Sequence, residues 1–141
     1  MSQSIVEEIL GKYRVIAVVG LSKELGKPSH RVAAYLKNHG YRIIPVNPFV
    51  DEVFGEKSYK SLLMIPEVLQ RNIDIVDIFR RSEDVPPIVD QVIKMREEVG
   101  RPFVVWMQQG IVNESAAKAA QQAGLIVVMN KCLMAEHLHL H

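Results

Sequence analysis

Val15-Ile16-Ala17-Val18-Val19-Gly20-Leu21-Ser22 is the stretch that decides the fold. Five consecutive apolar residues, mostly β-branched, carry no polar alternation and end at a glycine, the pattern of a strand buried on both faces. Such strands belong to parallel sheets, which need helices to carry the chain back between them. Downstream the required pieces follow in order. Val32, Ala33, Tyr35 and Leu36 recur at helical spacing from Pro28 or Ser29 to about Asn38, with Gly40 as a stop. Arg42 to Pro48 then reads as a short second strand whose prolines limit its pairing, because proline has no amide to donate.

Further on, residues 49–72 show no clear period, and Ser61 to Ile65 reads as a turn or two of helix. Ile73 to Phe79 predicts a third strand, Val85 to Glu98 a helix with prolines in its first turn, and Gly100 its end. Phe103 to Met107 predicts a fourth strand, Asn113 to Ala123 an alanine-rich helix capped by Asn113, and Leu125 to Met129 a fifth strand. Upstream, Ser4-Ile5-Val6-Glu7 has capping-box spacing and predicts a first helix from about Ile5 to Lys12. The tail His137-Leu138-His139-Leu140-His141 alternates with period two and reads as a frayed terminus, its imidazoles able to bind metal adventitiously. Strand and helix alternate, so the expectation is an α/β, Rossmann-like, three-layer fold. Its sheet is five-stranded and mostly parallel, with helices on both faces.

A chain of 141 residues fits one folding unit, read as a single domain over 1–141. With 48% hydrophobic and 23% charged residues it lies far from the signature of disorder. A formal net charge of +1 gives no surplus for wrapping nucleic acid, yet leaves room for a local basic pocket. The lone Cys132 excludes an internal disulfide and a multi-cysteine zinc site and points to a reducing compartment, the cytoplasm. Acidic residues near the N-terminus and the absence of a long apolar run argue against secretion and against a membrane.

In an open parallel sheet the ligand sits beyond the carboxyl ends of the strands, where the strand order reverses. The first loop, Gly20 to His30, opens on a helix whose free amides and dipole suit phosphate, with Ser22 and Ser29 as hydroxyl donors. It lacks the dinucleotide fingerprint G-x-G-x-x-G, since Ser22 and Leu25 stand where the second and third glycines belong. The second strand ends in Asn47-Pro48 rather than in the acid that holds an unmodified ribose, which weighs toward NADP or coenzyme A over NAD. Arg31, Lys57 and Lys60 are candidate counter-charges. Arg80-Arg81 after the third strand offers guanidinium forks for phosphate, against the simpler reading of an ion pair with Glu83 or Asp84. Asp74 and Asp77 fall on opposite faces of their strand and read as structural. Cys132 reads as a half-buried thiol, with a mixed disulfide to a ligand thiol as the alternative.

Several blocks then match in one order: Val19-Gly20-Leu21-Ser22, Pro28-Ser29 with Val32-Ala33-x-Tyr35-Leu36, Gly40 to Pro48, Gly55-Glu56-Lys57-Ser58-Tyr59, Asp74 to Arg81, Trp106-Met107-Gln108-x-Gly110-Ile111, and Val128-Met129-x-x-Cys132. Over nearly its whole length the chain resembles the small stand-alone CoA-binding domain proteins of prokaryotes, relatives of the N-terminal domain of the succinyl-CoA synthetase α subunit. That resemblance implies coenzyme A as the cofactor, with Gly20, Leu21 and Ser22 at the pyrophosphate, Asn47-Pro48 beside the adenosine, and Phe79, Arg80 and Arg81 bordering the phosphates or the pantetheine arm. The full expected set adds Ser29, Arg31, Lys57, Gln108 and Gly110. One departure is Asn130-Lys131, where the family often has Asp-Arg before the cysteine. The short segment after the second strand has no room for another helix–strand unit, so the expected order is 2-1-3-4-5, which puts Arg80 beside the Gly20 loop.

The function this supports is a non-catalytic CoA or acyl-CoA carrier, sensor or regulator. No catalytic constellation is recognised, and the histidine of the synthetase relatives belongs to a domain this chain does not carry. The alternatives are an NAD(P)- or other nucleotide-binding protein and an accessory part of an acyl-CoA enzyme. A small-molecule ligand is the expected partner, with no nucleic acid and no membrane; a homodimer is a family-level expectation.

Overall fold

The computed structural model describes residues 3–141. Helix α1 (Gln3–Lys12) leads into β1 (Val15–Val19), α2 (Pro28–Asn38) and β2 (Arg42–Val46). A small hairpin of β3 (Glu52–Val53) and β4 (Glu56–Lys57), a 3₁₀ turn at Leu62–Met64 and the one-turn α3 (Glu67–Gln70) fill the segment that had no period. Then come β5 (Ile75–Ile78), α4 (Val85–Val99), β6 (Val104–Met107), α5 (Glu114–Gln122), β7 (Ile126–Met129) and α6 (Leu133–Leu140).

The sheet order is β2-β1-β5-β6-β7, and all four pairings are parallel. This is the expected Rossmann-like order once the β3–β4 hairpin, which forms its own two-stranded sheet, is set aside. Every residue of β5 and β6 is buried, as the continuous apolar runs required. Pro45 is tolerated because β2 is an edge strand: opposite its pairing with β1, only the Pro45 carbonyl is used, accepting from the Tyr59 amide at 3.1 Å.

Two apolar layers sandwich the sheet. On one face Val89, Val92 and Met95 of α4 and Ala116, Ala117 and Ala120 of α5 pack on Ala17, Val76, Val105 and Val127. On the other, Val6, Ile9 and Leu10 of α1, Val32, Ala33 and Leu36 of α2, and Leu133 of α6 pack on Ile16, Val18, Ile75 and Trp106. Each fully buried side chain of this size stabilises the fold by roughly 1.5–3 kcal/mol relative to exposure. The Trp106 indole N–H also donates to the Lys131 carbonyl at 2.7 Å, which pins the chain where it enters α6.

Two expectations need correction. The tail is not frayed: α6 runs to Leu140, with His137 only 8% exposed. The alternating His-Leu tail read as period two, whereas Leu133, His137 and Leu140 at 3.5-residue spacing make a helical stripe that docks on α1 and α2. The first helix begins at Gln3, so Ser4 lies inside it rather than at its cap; the Ser4 side chain itself lies outside the described residues. By contrast the 61–65 stretch makes one 3₁₀ turn, within the turn or two of helix expected, and Asn113 caps α5 as expected, its Oδ1 accepting the Ala116 amide at 3.0 Å. Among the described residues no helix is long and apolar enough to cross a membrane.

Candidate functional site

The carboxyl ends of β1, β2 and β5 meet at Gly20. Parallel pairing carries the ladder to the very end of the strands: the Phe79 amide donates to Val19 and the Gly20 amide to Val46, both at 2.8 Å. Gly20 turns away with φ +88°, and a Cβ placed on it would stand 2.5 Å from the Phe79 carbonyl oxygen and 3.1 Å from Cδ of Arg80. Only glycine lets the first loop and the β5 end approach this closely. The sequence expectation that Arg80 lies beside the Gly20 loop is met by the strand order.

The loop itself is tightly held. The Ser22 amide donates to Ser29 Oγ at 2.9 Å, the Ser22 carbonyl pairs with His30 Nδ1 at 2.9 Å, and Ser22 Oγ accepts the Glu24 amide at 3.0 Å. Leu21, expected at the pyrophosphate, is instead wholly buried in the α1–α2–α6 layer and anchors the loop from below, outside the cleft lining. Helix α2 starts with proline and carries no side-chain cap, which leaves its first turn open toward the cleft.

Above this loop lies a cleft of about 630 Å³, within the ~300–1,000 Å³ usual for small-molecule sites. It gathers Gly20, Ser22, Ser29, Arg31, Phe79, Arg80, Arg81 and Gln108 from the expected set. Its charged lining is entirely cationic, Lys27 joining the three arginines, while Ile111, Cys132 and Met134 give one part an apolar and sulfur-bearing wall. Across the Gly20–Arg80 ridge is a smaller cleft of about 250 Å³, lined by Pro48, Lys60, Ser61 and Gln91 among others.

The two arginines part company. Arg81 is exposed and forms the surface pair, its Nε donating to Asp84 at 3.0 Å with Glu83 at 3.5 Å. Arg80 is half-buried between the two clefts and forms no salt bridge among the described residues. Asn47 sits at the expected place, but its side chain is occupied: Nδ2 donates to the Leu21 carbonyl at 3.0 Å and Oδ1 accepts the Phe49 amide at 2.9 Å. It stitches β2 to the first loop. Lys57 stands apart on β4, with Nζ over the Tyr59 ring at 5.4 Å, and Gly110 donates its amide to Asn130 Oδ1 at 2.7 Å outside the cleft lining.

Sequence reasoning missed Lys27, Ile111 and Met134, as well as the supporting role of His30. Met134 was hidden with α6, whose helical stripe was the available signal. Gln108 does more than line the cleft, its Oε1 accepting the Leu133 amide at 3.0 Å and so fixing the start of α6. Cys132 is a free, half-buried thiol at that start.

Asp77 of β5 and Asp74 just before it are structural in different ways. Asp74 accepts the amides of Arg14 and Val15 at 3.1 Å and an Arg101 guanidinium N–H at 3.0 Å. Asp77 lies between Val18 and Trp106 in the sheet, wholly buried with neither oxygen hydrogen-bonded, and burial pushes its carboxyl well above the ordinary range. Among the described residues no three His, Cys, Asp or Glu side chains are placed to hold a metal ion.

Residues 14–138 match the family described as CoA binding domain. The uncharacterized protein YneT of Bacillus subtilis (strain 168) is 40% identical over 136 residues, covering 96% of this chain and 94% of YneT. An ADP-forming acetate–CoA ligase of Methanocaldococcus jannaschii is 38% identical over 89 residues, which are 63% of this chain and 11% of the ligase. Among solved structures, a hypothetical protein from Pyrococcus horikoshii OT3 superposes with a TM-score of 0.89 at 39% identity, over 99% of this chain and 92% of that one.

Proposed function

The chain belongs to the CoA binding domain family, and on that premise we propose that it binds coenzyme A or an acyl-CoA at the carboxyl edge of its sheet, as a carrier, sensor or regulatory module without chemistry of its own. The observation that carries the reading is the union, around one cleft, of the Gly20 loop, the first turn of α2 and an all-cationic charged lining. A ligand with a pyrophosphate and a ribose phosphate meets that lining with the right sign of charge, and a helix start adds amide donors. The Gly20 position fits a backbone-hugging phosphate, since any side chain there would already collide with Phe79.

In this reading Arg80, poised on the ridge between the clefts, takes the pyrophosphate, while Arg31 and Lys27 are the candidates for the ribose phosphate. Pro48 offers an apolar edge to the adenosine. The pantetheine arm runs along Phe79 and Ile111 toward Cys132 and Met134, where a thiol stands within the same cleft. Arg81 contributes charge more than contact, because its guanidinium is already engaged by Asp84. Asn47 acts by shaping the loop rather than by touching ribose.

The likeness to the acetate–CoA ligase supports a second reading, in which the chain serves as the CoA-holding part of a larger acyl-CoA system. Titration calorimetry with CoA, acetyl-CoA, dephospho-CoA, NAD and NADP separates the possibilities. The proposal expects saturable binding of CoA with weaker binding of dephospho-CoA. Selective binding of NAD or NADP, or no heat with any of them, overturns it.

A further inference from the structure

Two polar side chains in the first turn of α2 are buried, Ser29 and His30, the latter 8% exposed. Buried polar groups persist where they are hydrogen-bonded, and both of these are spent on one residue of the phosphate-facing loop. Ser29 Oγ accepts the Ser22 amide and His30 Nδ1 meets the Ser22 carbonyl, each at 2.9 Å. A carbonyl can only accept, so Nδ1 carries the proton and the ring has a defined tautomer. Ser22 is therefore gripped at both of its backbone polar atoms by consecutive residues of one helix.

The grip is braced from the other side. The His30 ring packs on Phe54 with centroids 4.6 Å apart, and Phe54 sits at the turn between β3 and β4 with φ +58°, a left-handed conformation that is unfavourable for a non-glycine residue. Lys37 of α2 donates to the Phe54 carbonyl at 3.3 Å, which ties the hairpin back to the same helix. With Ser22 Oγ accepting the Glu24 amide, the hydroxyl proton of Ser22 is the one group of that residue left to donate, and Ser22 lines the cleft.

We propose that His30 is a positioning residue for the bound phosphate: through Nδ1 it fixes the Ser22 carbonyl, and thereby the direction in which the Ser22 hydroxyl and its loop meet the ligand. This rests on the CoA reading above for the identity of the ligand, but not for the grip itself. His30→Phe keeps a ring against Phe54 and removes the donor; His30→Asn restores an N–H where Nδ1 stands, and His30→Leu repeats the donor loss without aromatic bulk.

Two readouts judge the proposal. In the ligand-free protein, hydrogen exchange at residues 21–24 should quicken about tenfold in the Phe and Leu variants, the loss of one buried hydrogen bond, and return toward wild type in Asn. In calorimetry the same two variants should weaken CoA by about tenfold while the Asn variant recovers most of the affinity, with folding checked by thermal melting. Wild-type exchange and affinity in a folded Phe or Leu variant, or an Asn variant as impaired as they are, overturns the role of His30. Should wild-type protein fail to bind CoA, the ligand reading falls while the exchange measurement still decides the grip.

Discussion

Replacing Gly20 by alanine tests the junction on which the site is built. The new Cβ would lie 2.5 Å from the Phe79 carbonyl oxygen, about 0.9 Å short of the 3.4 Å at which ordinary contact begins, and the obstacle is backbone rather than a movable side-chain end. The left-handed φ of +88° costs an alanine about 1–2 kcal/mol by itself. Parting β1 from β5 to relieve the clash weakens the Phe79–Val19 bond, adding about 0.5–1.5 kcal/mol. The sum is a destabilisation of about 1.5–3.5 kcal/mol. Gly40→Ala provides the control, since Gly40 has φ +91° but nothing within 4 Å of its added Cβ, so it should show the conformational cost alone. Urea unfolding of both variants isolates the clash as the difference between them, expected at 1 kcal/mol or more on the order of a strand-end hydrogen bond. Calorimetry should show CoA binding weakened by at least about tenfold in Gly20→Ala and unchanged in Gly40→Ala. Equal destabilisation and equal affinity in the two variants would refute the close approach of β1 and β5 and, with it, the placement of the loop.

Other expectations follow from the same geometry. Arg80→Ala should weaken CoA by about 1–3 kcal/mol, and dephospho-CoA equally if Arg80 serves the pyrophosphate, whereas Arg81→Ala should leave the affinity nearly unchanged because Asp84 already engages it; calorimetry on the two variants decides. Burial raises the Asp77 carboxyl well above its ordinary 3.8, so its favourable contribution to stability is present below that value and is lost as pH rises toward the folded one. Asp77→Asn should therefore unfold at higher urea than wild type at pH 7, with a smaller advantage at pH 4; a less stable variant would mean that the carboxyl has a partner. Burial, reinforced by His141, His39 and Arg14, lowers the His137 imidazole below its ordinary 6.5, so stability should decline as pH falls through and below that value. His137→Gln should flatten the melting temperature between pH 7.5 and pH 5.5, and an unchanged slope would place the titration elsewhere.

What was legible in the chain beforehand followed from period and punctuation. Val15 to Val19, Ile73 to Phe79 and Phe103 to Met107 are apolar without alternation because their strands have helices on both faces, and that composition marks them wherever they sit. Gly20 and Asn113 were readable for a similar reason, each residue type having a backbone duty that few others perform. The shortness of the segment between β2 and β5 even determined the strand order. Residues 49–72 resisted because a two-residue hairpin and one-turn helices are too short to establish a period, and α6 because alternating His and Leu imitates a strand.

The site divided along the same line. Local sequence identifies the groups able to meet a phosphate, so Gly20, Ser22, Arg31 and Arg80 could be named from it, but it cannot say which of those groups the fold has already spent. Only the tertiary structure shows Asn47 consumed by Leu21 and Phe49, Arg81 by Asp84, and His30 drawn beneath Ser22. Strand order and helix placement were determined by the chain itself, because burial period and loop length are properties of adjacent residues. The allocation of each polar group between ligand and protein was decided by folding, because it depends on whether the folded backbone brings a side chain within reach of its partner, three residues away for Arg81 and Asp84 or 26 away for Asn47 and Leu21.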